Sequence, residues 1–217
     1  MIYIETGSSD PYFNFGAEYY FSDVAPLDDL IFLFWRTEPT LMLGKYQNPY
    51  EELNLKLAEE KGVKLVRRMS GGGTIYTDLG GWQFTFIDPE FSEEIEFKKY
   101  TAYILDALND LGLDVTFTGR NDLLLDGKKI SGNAQYQLNK HTIHHGSLLF
   151  NTDIEDMVRL TKVSEGKILS KSIKSIRERV TNISDYIDSD MTSLDFKEEM
   201  VSRICPDNHR QLTDGER

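Results

Sequence analysis

Cysteine is nearly absent. Cys205 stands alone among 217 residues, so no internal disulfide can form and a reducing, cytoplasmic compartment is expected. Long apolar runs are missing too. The longest, Leu30 to Trp35, is far short of the ~20 residues a membrane span needs. The opening MIYIETGSSD has no basic stretch followed by an apolar one, so it is not expected to be a secretory leader. Positive charge is scarce: 24 Lys and Arg face 36 Asp and Glu, a formal net charge of −12. Such a chain is a poor non-specific binder of nucleic acid or anionic membrane, although a small anion responds to local charge only. Internal repeats, low-complexity tracts, a His-Glu-x-x-His zinc motif and a Gly-x-Ser-x-Gly nucleophile elbow are all lacking.

What is present is ordinary for a globular fold, with 40% hydrophobic and 28% charged residues. A chain of this length buries roughly 70% of its unfolded surface without a metal or disulfide staple. Asp10-Pro11 predicts an N-cap and first helical residue, opening a helix to about Asp23. Leu30–Arg36 and Thr40–Gly44 are β-rich and meet at Glu38-Pro39, which predicts a hairpin. Pro49 opens a helix with Leu53 and Leu57 on one face, stopped by Gly62. Val63–Arg68 reads as a strand. The alternation in Trp82–Phe86 predicts a half-buried one. Phe97, Tyr100, Ile104, Leu108 and Leu111 recur at helical spacing. Short strands follow at Asp114–Thr118, Asp122–Leu125, Lys129–Ser131 and Ile143–Phe150, with Asp126-Gly127 as a turn. The remainder from Asp153 reads as mostly helical. This order is α+β: a mixed, largely antiparallel sheet with flanking helices.

Three segments carry chemistry. The first is Arg67-Arg68-Met69-Ser70-Gly71-Gly72-Gly73-Thr74-Ile75-Tyr76. Three glycines expose backbone N–H groups, and two arginines add cations suited to phosphate or carboxylate. Neither common phosphate loop fits, because no Lys-Ser/Thr follows the glycines and Tyr76 stands where a third spaced glycine would be. Read alone, the run also suits a flexible turn. The second segment is Gly119-Arg120-Asn121-Asp122-Leu123 with Gly127-Lys128-Lys129-Ile130-Ser131-Gly132-Asn133-Ala134. It places Asp122 and Lys129 near each other across a hairpin, as a cation for an acyl or phosphoryl group or merely a solvated turn. The third is His144-His145-Gly146-Ser147-Leu148-Leu149; with His141 its histidines are too far apart on a strand for zinc. One stretch departs from the overall charge. Residues 159–179 hold seven basic side chains against two acidic, a local +5 that leaves −17 elsewhere.

Together the three segments, with Gln47-Asn48-Pro49 and Ser172–Asn182, resemble the lipoate–protein ligase A family from about Asp10 to about Ile183. The resemblance implies a biotin/lipoate ligase (class II aminoacyl-tRNA synthetase-like) fold. It also implies activation of lipoate with ATP and Mg2+ to lipoyl-AMP, then transfer to a lysine of an acceptor lipoyl domain. That acceptor would be the glycine cleavage H protein or a 2-oxoacid dehydrogenase subunit. Lys129 becomes the catalytic lysine. Arg68, Ser70, Gly71, Gly72 and Gly73 line the carboxyl and phosphate side, and Ile75 and Thr77 present backbone to adenine. Asn121 and Asp122 face phosphate, with Asp122 the candidate Mg2+ ligand. His145 lies along the pocket, and Lys174 and Arg177 belong to an adenylate- or acceptor-facing loop.

The chain departs from the family's pattern. His-Asp-x-Gly-Asn becomes Thr77-Asp78-Leu79-Gly80-Gly81, and the loss of an amide at Gly81 bears on nucleotide binding. The family's single-chain ligases carry a C-terminal accessory domain. Here residues 1–185 are expected to form the catalytic domain, and 186–217 a helical tail leading toward an absent accessory domain or chain. The rivals are an octanoyl or lipoyl transferase working from a preformed acyl donor, and a binding module without activation. A cysteine-based transferase is disfavoured because Cys205 lies outside every motif.

Overall fold

A computed structural model of the chain describes residues 1–161, 174–187 and 190–216. The strands are β1 (Ile2–Glu5), β2 (Ile31–Trp35), β3 (Thr40–Leu43), β4 (Lys64–Arg67), β5 (Ile75–Thr77), β6 (Gly81–Asp88), β7 (Val115–Phe117), β8 (Asp122–Leu125), β9 (Lys128–Leu138), β10 (His141–Leu149) and β11 (His209–Gln211). The helices are α1 (Pro11–Tyr19), α2 (Pro49–Glu52), α3 (Leu55–Glu60), α4 (Phe97–Asp110), α5 (Ile154–Leu160) and α6 (Ser193–Ile204). Eight strands form a main sheet in the order β11-β1-β2-β6-β10-β9-β8-β7, and β4-β3-β5 form a smaller one. The β11–β1, β1–β2 and β3–β4 pairs are parallel and the others antiparallel, so the expected mixed, largely antiparallel α+β sheet is found.

Local chemistry sets the boundaries. The Asp10 carboxylate accepts from the Tyr12 and Phe13 N–H groups and Pro11 takes the first turn, as the sequence predicts. Asp126 and Gly127 both have positive φ, 49° and 71°, and close the β8–β9 hairpin.

Three expectations are corrected. β2 and β3 do not form a hairpin: they lie in different sheets, because the chain at Glu38-Pro39 crosses between layers. The helix expected from Pro49 breaks at Leu53, which is extended, buried and bridged to Thr161, so α2 and α3 are separate and Asn54 caps the second. β6 is buried on both faces rather than one. Its Trp82, Phe84 and Phe86 enter one core, while Gln83 and Thr85 face an interior space.

Three apolar cores hold the layers together. The first packs the main sheet against α4 and α6, with Phe34, Trp82, Phe84, Tyr100, Ile104 and Phe196 among its members. The second lies on the opposite face, under α1 and the small sheet, around Leu33, Trp35, Met42 and Phe21. The third joins the small sheet to α3 and α5 through Leu41, Leu43, Ala58 and Leu160. Residues beyond 185 share this packing: α6 sends Phe196, Met200, Val201 and Ile204 into the first core, and β11 pairs with β1. Cys205 is buried in that core.

Candidate active site

The floor of the site is a row of residues in register across five strands. Trp35 pairs with Gln83, Gln83 with Ser147, Ser147 with Gly132, and Gly132 with Asp122. Strand periodicity puts all five on one face, and the next row on that face holds Leu33, Thr85, His145 and Ala134. A bulge interrupts the β8–β9 ladder between Leu123 and Leu124, so β9 loses strict alternation beside Lys129. The Lys129 ammonium then reaches Asp122 Oδ1 at 2.8 Å. It does so across Gly132, where a Cβ would stand 3.0 Å from Lys129 Nζ.

Two cavities meet at this amine. One, of about 210 Å³, has apolar walls from Phe15, Trp35 and Met42, and polar ones from Gln83, Asn121 and His145. The other, of about 320 Å³, runs between Ile75, Tyr76, Met157, Val158, Ile176 and Val180. Thr74, Ile75, Lys129, Gly132 and Ser147 line both.

The glycine-rich turn closes the top. The Arg68 guanidinium donates to Ser70 Oγ at 3.1 Å and to the carbonyls of Met42, Gly71 and Gly73 at 2.9, 3.0 and 2.6 Å. Arg67 donates to the carbonyls of Gly44, Lys45 and Gln47. Both arginines therefore fasten loops, instead of presenting open bidentate faces. Thr74 Oγ1 donates to Glu52 Oε2 at 2.6 Å, tying the turn to α2.

The sequence-predicted residues divide. Lys129, Arg68, Gly72, Gly73, Ile75, Asn121 and His145 line the first cavity. Asp122 reaches it by holding Lys129. Ser70 and Gly71 line neither cavity, Ser70 being buried beneath Arg68 and His145. Thr77 is buried, its Oγ1 accepting from Gln83 Nε2 at 2.7 Å. Gly81 does not face the cavities: a Cβ there would lie 2.8 Å from Thr152 Oγ1 and 3.1 Å from Thr77 Oγ1. The two departures from the family's loop are thus neighbours in space. Lys174 and Arg177 are exposed, and Arg177 lines a polar cleft with Lys128. From the same segment, Ile176 and Val180 reach the second cavity. Lys162, Lys167 and Lys171 fall outside the described residues.

Sequence reasoning missed Glu18. Its carboxylate accepts from Thr85 Oγ1 at 2.8 Å, from Tyr136 OH at 2.9 Å and from His145 Nδ1 at 3.2 Å. Burial alone would raise its pKa, but the charge and hydrogen bond of His145, with Thr85 and Tyr136, hold it below the usual carboxylate range. The signal was there: Pro11, Asn14, Ala17 and Glu18 follow the buried stripe of α1. Gln83 was also missed, being a polar strand position outside every motif, while Ser147 and Asn133 stood within the quoted segments but were given no role.

Residues 10–205 match the lipoyl protein ligase A/B catalytic domain. The chain is 40% identical to lipoate–protein ligase LplJ of Bacillus subtilis over 210 residues, 96% of this chain and 63% of that protein. It is 36% identical to lipoate–protein ligase 1 of Staphylococcus aureus over 197 residues, 90% of this chain and 60% of that protein. It thus spans about three fifths of the length of these relatives. Among solved structures, a bi-partite lipoate protein ligase from Thermoplasma acidophilum, described with its E2 lipoyl domain, superposes with a TM-score of 0.86 at 25% identity. That match covers 99% of this chain and 88% of the archaeal one.

Proposed function

The chain belongs to the lipoyl protein ligase A/B catalytic domain family, and from that premise we propose that it activates lipoate with ATP and passes the lipoyl group to a lysine of an acceptor lipoyl domain. The observation that carries the reading is the position of Lys129. Its ammonium stands where an apolar-walled cavity, lined also by Gly72 and Gly73, meets a second cavity.

The first cavity suits an aliphatic acid, since each methylene buried against Phe15, Trp35 and Met42 contributes about 0.8 kcal/mol. The second suits the nucleotide, with adenine between Ile75, Tyr76 and Val180. In the first step a carboxylate oxygen of lipoate attacks the α-phosphorus of ATP, and pyrophosphate leaves. Two anions must approach, and Lys129 lies between them. In the second step the neutral amine of the acceptor lysine attacks the acyl carbon, AMP leaves, and the nitrogen releases a proton. Lys129 then stabilises the charge that develops on oxygen and phosphate, a role worth roughly 3 kcal/mol for one well-placed donor.

Mg2+ would arrive with the triphosphate. Asp122 Oδ1 faces Lys129, so Oδ2 would be the ligand this chain supplies, the rest coming from phosphate and water. The acceptor is a lipoyl domain, either the glycine cleavage H protein or a 2-oxoacid dehydrogenase subunit. Among the described residues no helix is long and apolar enough to cross a membrane. The test is mass spectrometry of the chain mixed with ATP, Mg2+ and lipoate. Lipoyl-AMP is expected from the wild type, and Lys129→Ala is expected to lose at least a hundredfold in transfer from preformed lipoyl-AMP. Transfer at the wild-type rate by Lys129→Ala refutes the assignment.

A further inference from the structure

Four buried side chains form a hydrogen-bonded chain from the second core to the glycine-rich turn. Glu18, His145, Ser70 and Arg68 are 1%, 8%, 0% and 8% exposed. Glu18 contacts His145 Nδ1 at 3.2 Å, His145 Nε2 lies 2.5 Å from Ser70 Oγ, and Ser70 Oγ accepts from Arg68 Nε at 3.1 Å. Arg68 ends the chain on the carbonyls of Gly71 and Gly73. A carboxylate only accepts, so His145 carries a proton on Nδ1, and its Nε2 is bonded to the Ser70 hydroxyl. The opposite charges sit at the two ends, compensated through an imidazole and a hydroxyl.

Both nitrogens of His145 are engaged, so the ring has none left to take a proton from a substrate. Its edge nevertheless lines the first cavity. This combination distinguishes a transmitting role from an acid–base one. Glu18 touches neither the turn nor, among the described residues, either cavity. It is bound by Thr85, Tyr136 and His145 and lies on α1.

We infer that Glu18 is a positioning residue: through His145 and Ser70 it fixes the Arg68 guanidinium, and with it the backbone of the glycine-rich turn, whose Gly72 and Gly73 line the first cavity. Packing of the acid in that cavity against His145 is thereby coupled to the geometry of the turn. The inference rests on the proposed ligase reading only in naming that ligand. Removing the charge at Glu18 lets the imidazole rotate or change tautomer. Ser70 then loses its imidazole partner, and the turn loses one of its fixed points.

The experiment uses the full chain carrying Glu18→Gln, Ser70→Ala or both. It reads amide hydrogen exchange at residues 71–74 and the ring nitrogen shifts of His145. Lipoyl-AMP formation is followed alongside. Glu18→Gln should abolish the fixed Nδ1-protonated signature and raise exchange at 71–74 roughly tenfold or more. Ser70→Ala should raise the same exchange while leaving the Nδ1 proton in place. The double variant should show no more than the larger single effect, and exchange in β6 and β10 should stay unchanged. Wild-type exchange at 71–74 in Glu18→Gln, or additive effects in the double variant, overturns the inference. Should Glu18→Gln fail to fold, Tyr136→Phe removes one hydrogen bond to the same carboxylate. A rise at 71–74 then supports the relay and no rise refutes it. Absence of lipoyl-AMP from the wild type would remove the ligase reading and leave the exchange result to decide the relay.

Discussion

The backbone N–H of Lys129 donates to the carbonyl of Arg179 at 2.8 Å, and the N–H of Thr181 returns to the carbonyl of Lys129 at 3.2 Å. Lys129, the lysine proposed to act in transfer, therefore also anchors the end of the basic segment. Ile176 and Val180 turn into the second cavity, while Lys174 and Arg177 face outward.

On the proposed ligase reading, the two outward cations serve acceptor recognition. Lys174→Glu with Arg177→Glu should raise the KM for an acidic acceptor domain about tenfold at low salt, and the difference should shrink as salt is added. Steady-state transfer kinetics at two ionic strengths check this. Unchanged kinetics at low salt would discard the segment as a docking element.

Gly132 leaves the space in which Lys129 lies, with its Cβ position 3.0 Å from Nζ and 3.2 Å from Cε. The lysine side chain is flexible, so Gly132→Ala should leave the denaturation midpoint nearly unchanged. It should move the ammonium off Asp122 and lower kcat by about tenfold or more, since a displacement near 1 Å is costly at a reacting centre. Loss of stability without a specific loss of kcat would contradict this.

At Gly81 the obstacle is stiff. A Cβ would meet the hydroxyls of Thr152 and Thr77, both buried and β-branched. Gly81→Ala should cost about 1–3 kcal/mol in chemical denaturation. Adding Thr152→Ala should recover part of it. A neutral Gly81→Ala would show that the strand relaxes more easily than its packing implies.

Acid should weaken the fold through His144. Its Nε2 faces Asn133 Oδ1 at 3.1 Å, its Nδ1 is buried without a hydrogen bond, and Tyr100 stacks on the ring. Burial first, and the neighbouring His145 second, push its pKa down to about 3. Below its ordinary value of 6.5 the unfolded chain binds a proton that the folded chain refuses, so stability falls as pH drops from there toward 3. Glu18, also lowered, adds to the loss only below the usual carboxylate value of 4.5. Between pH 7 and 5, His144 should account for about 2 kcal/mol of lost unfolding free energy. Urea denaturation of wild type and His144→Gln at both pH values measures it, and equal losses in the two proteins would rule it out.

Much of the site was legible because its chemistry is local. Arg68 to Tyr76, the Asp122–Lys129 pair across an Asp-Gly turn and the His-His-Gly-Ser run each lie within a few residues of chain. What escaped depends on distant partners. Glu18 looks like an ordinary helix-surface carboxylate until Thr85, Tyr136 and His145 arrive from three strands. β2 and β3 have hairpin composition, yet β2 pairs with β1 and β6 and β3 with β4 and β5. Leu53 breaks a continuous helical pattern because a bridge to Thr161, more than a hundred residues away, pulls it extended. Periodicity showed that β6 alternates but not that both its faces are covered.

The five-strand register under the site has an evolutionary corollary. A substitution at Trp35, Gln83, Ser147, Gly132 or Asp122 changes one tile of the floor and leaves the others in register. A single inserted or deleted residue in β10 is different. It would turn His145 and Ser147 away together and push a side-chain-bearing position toward Phe84, where the Cβ space at Gly146 is already 2.3 Å from a ring carbon. Lineages of this domain should therefore keep the lengths of these strands, while length changes collect in the turns between them.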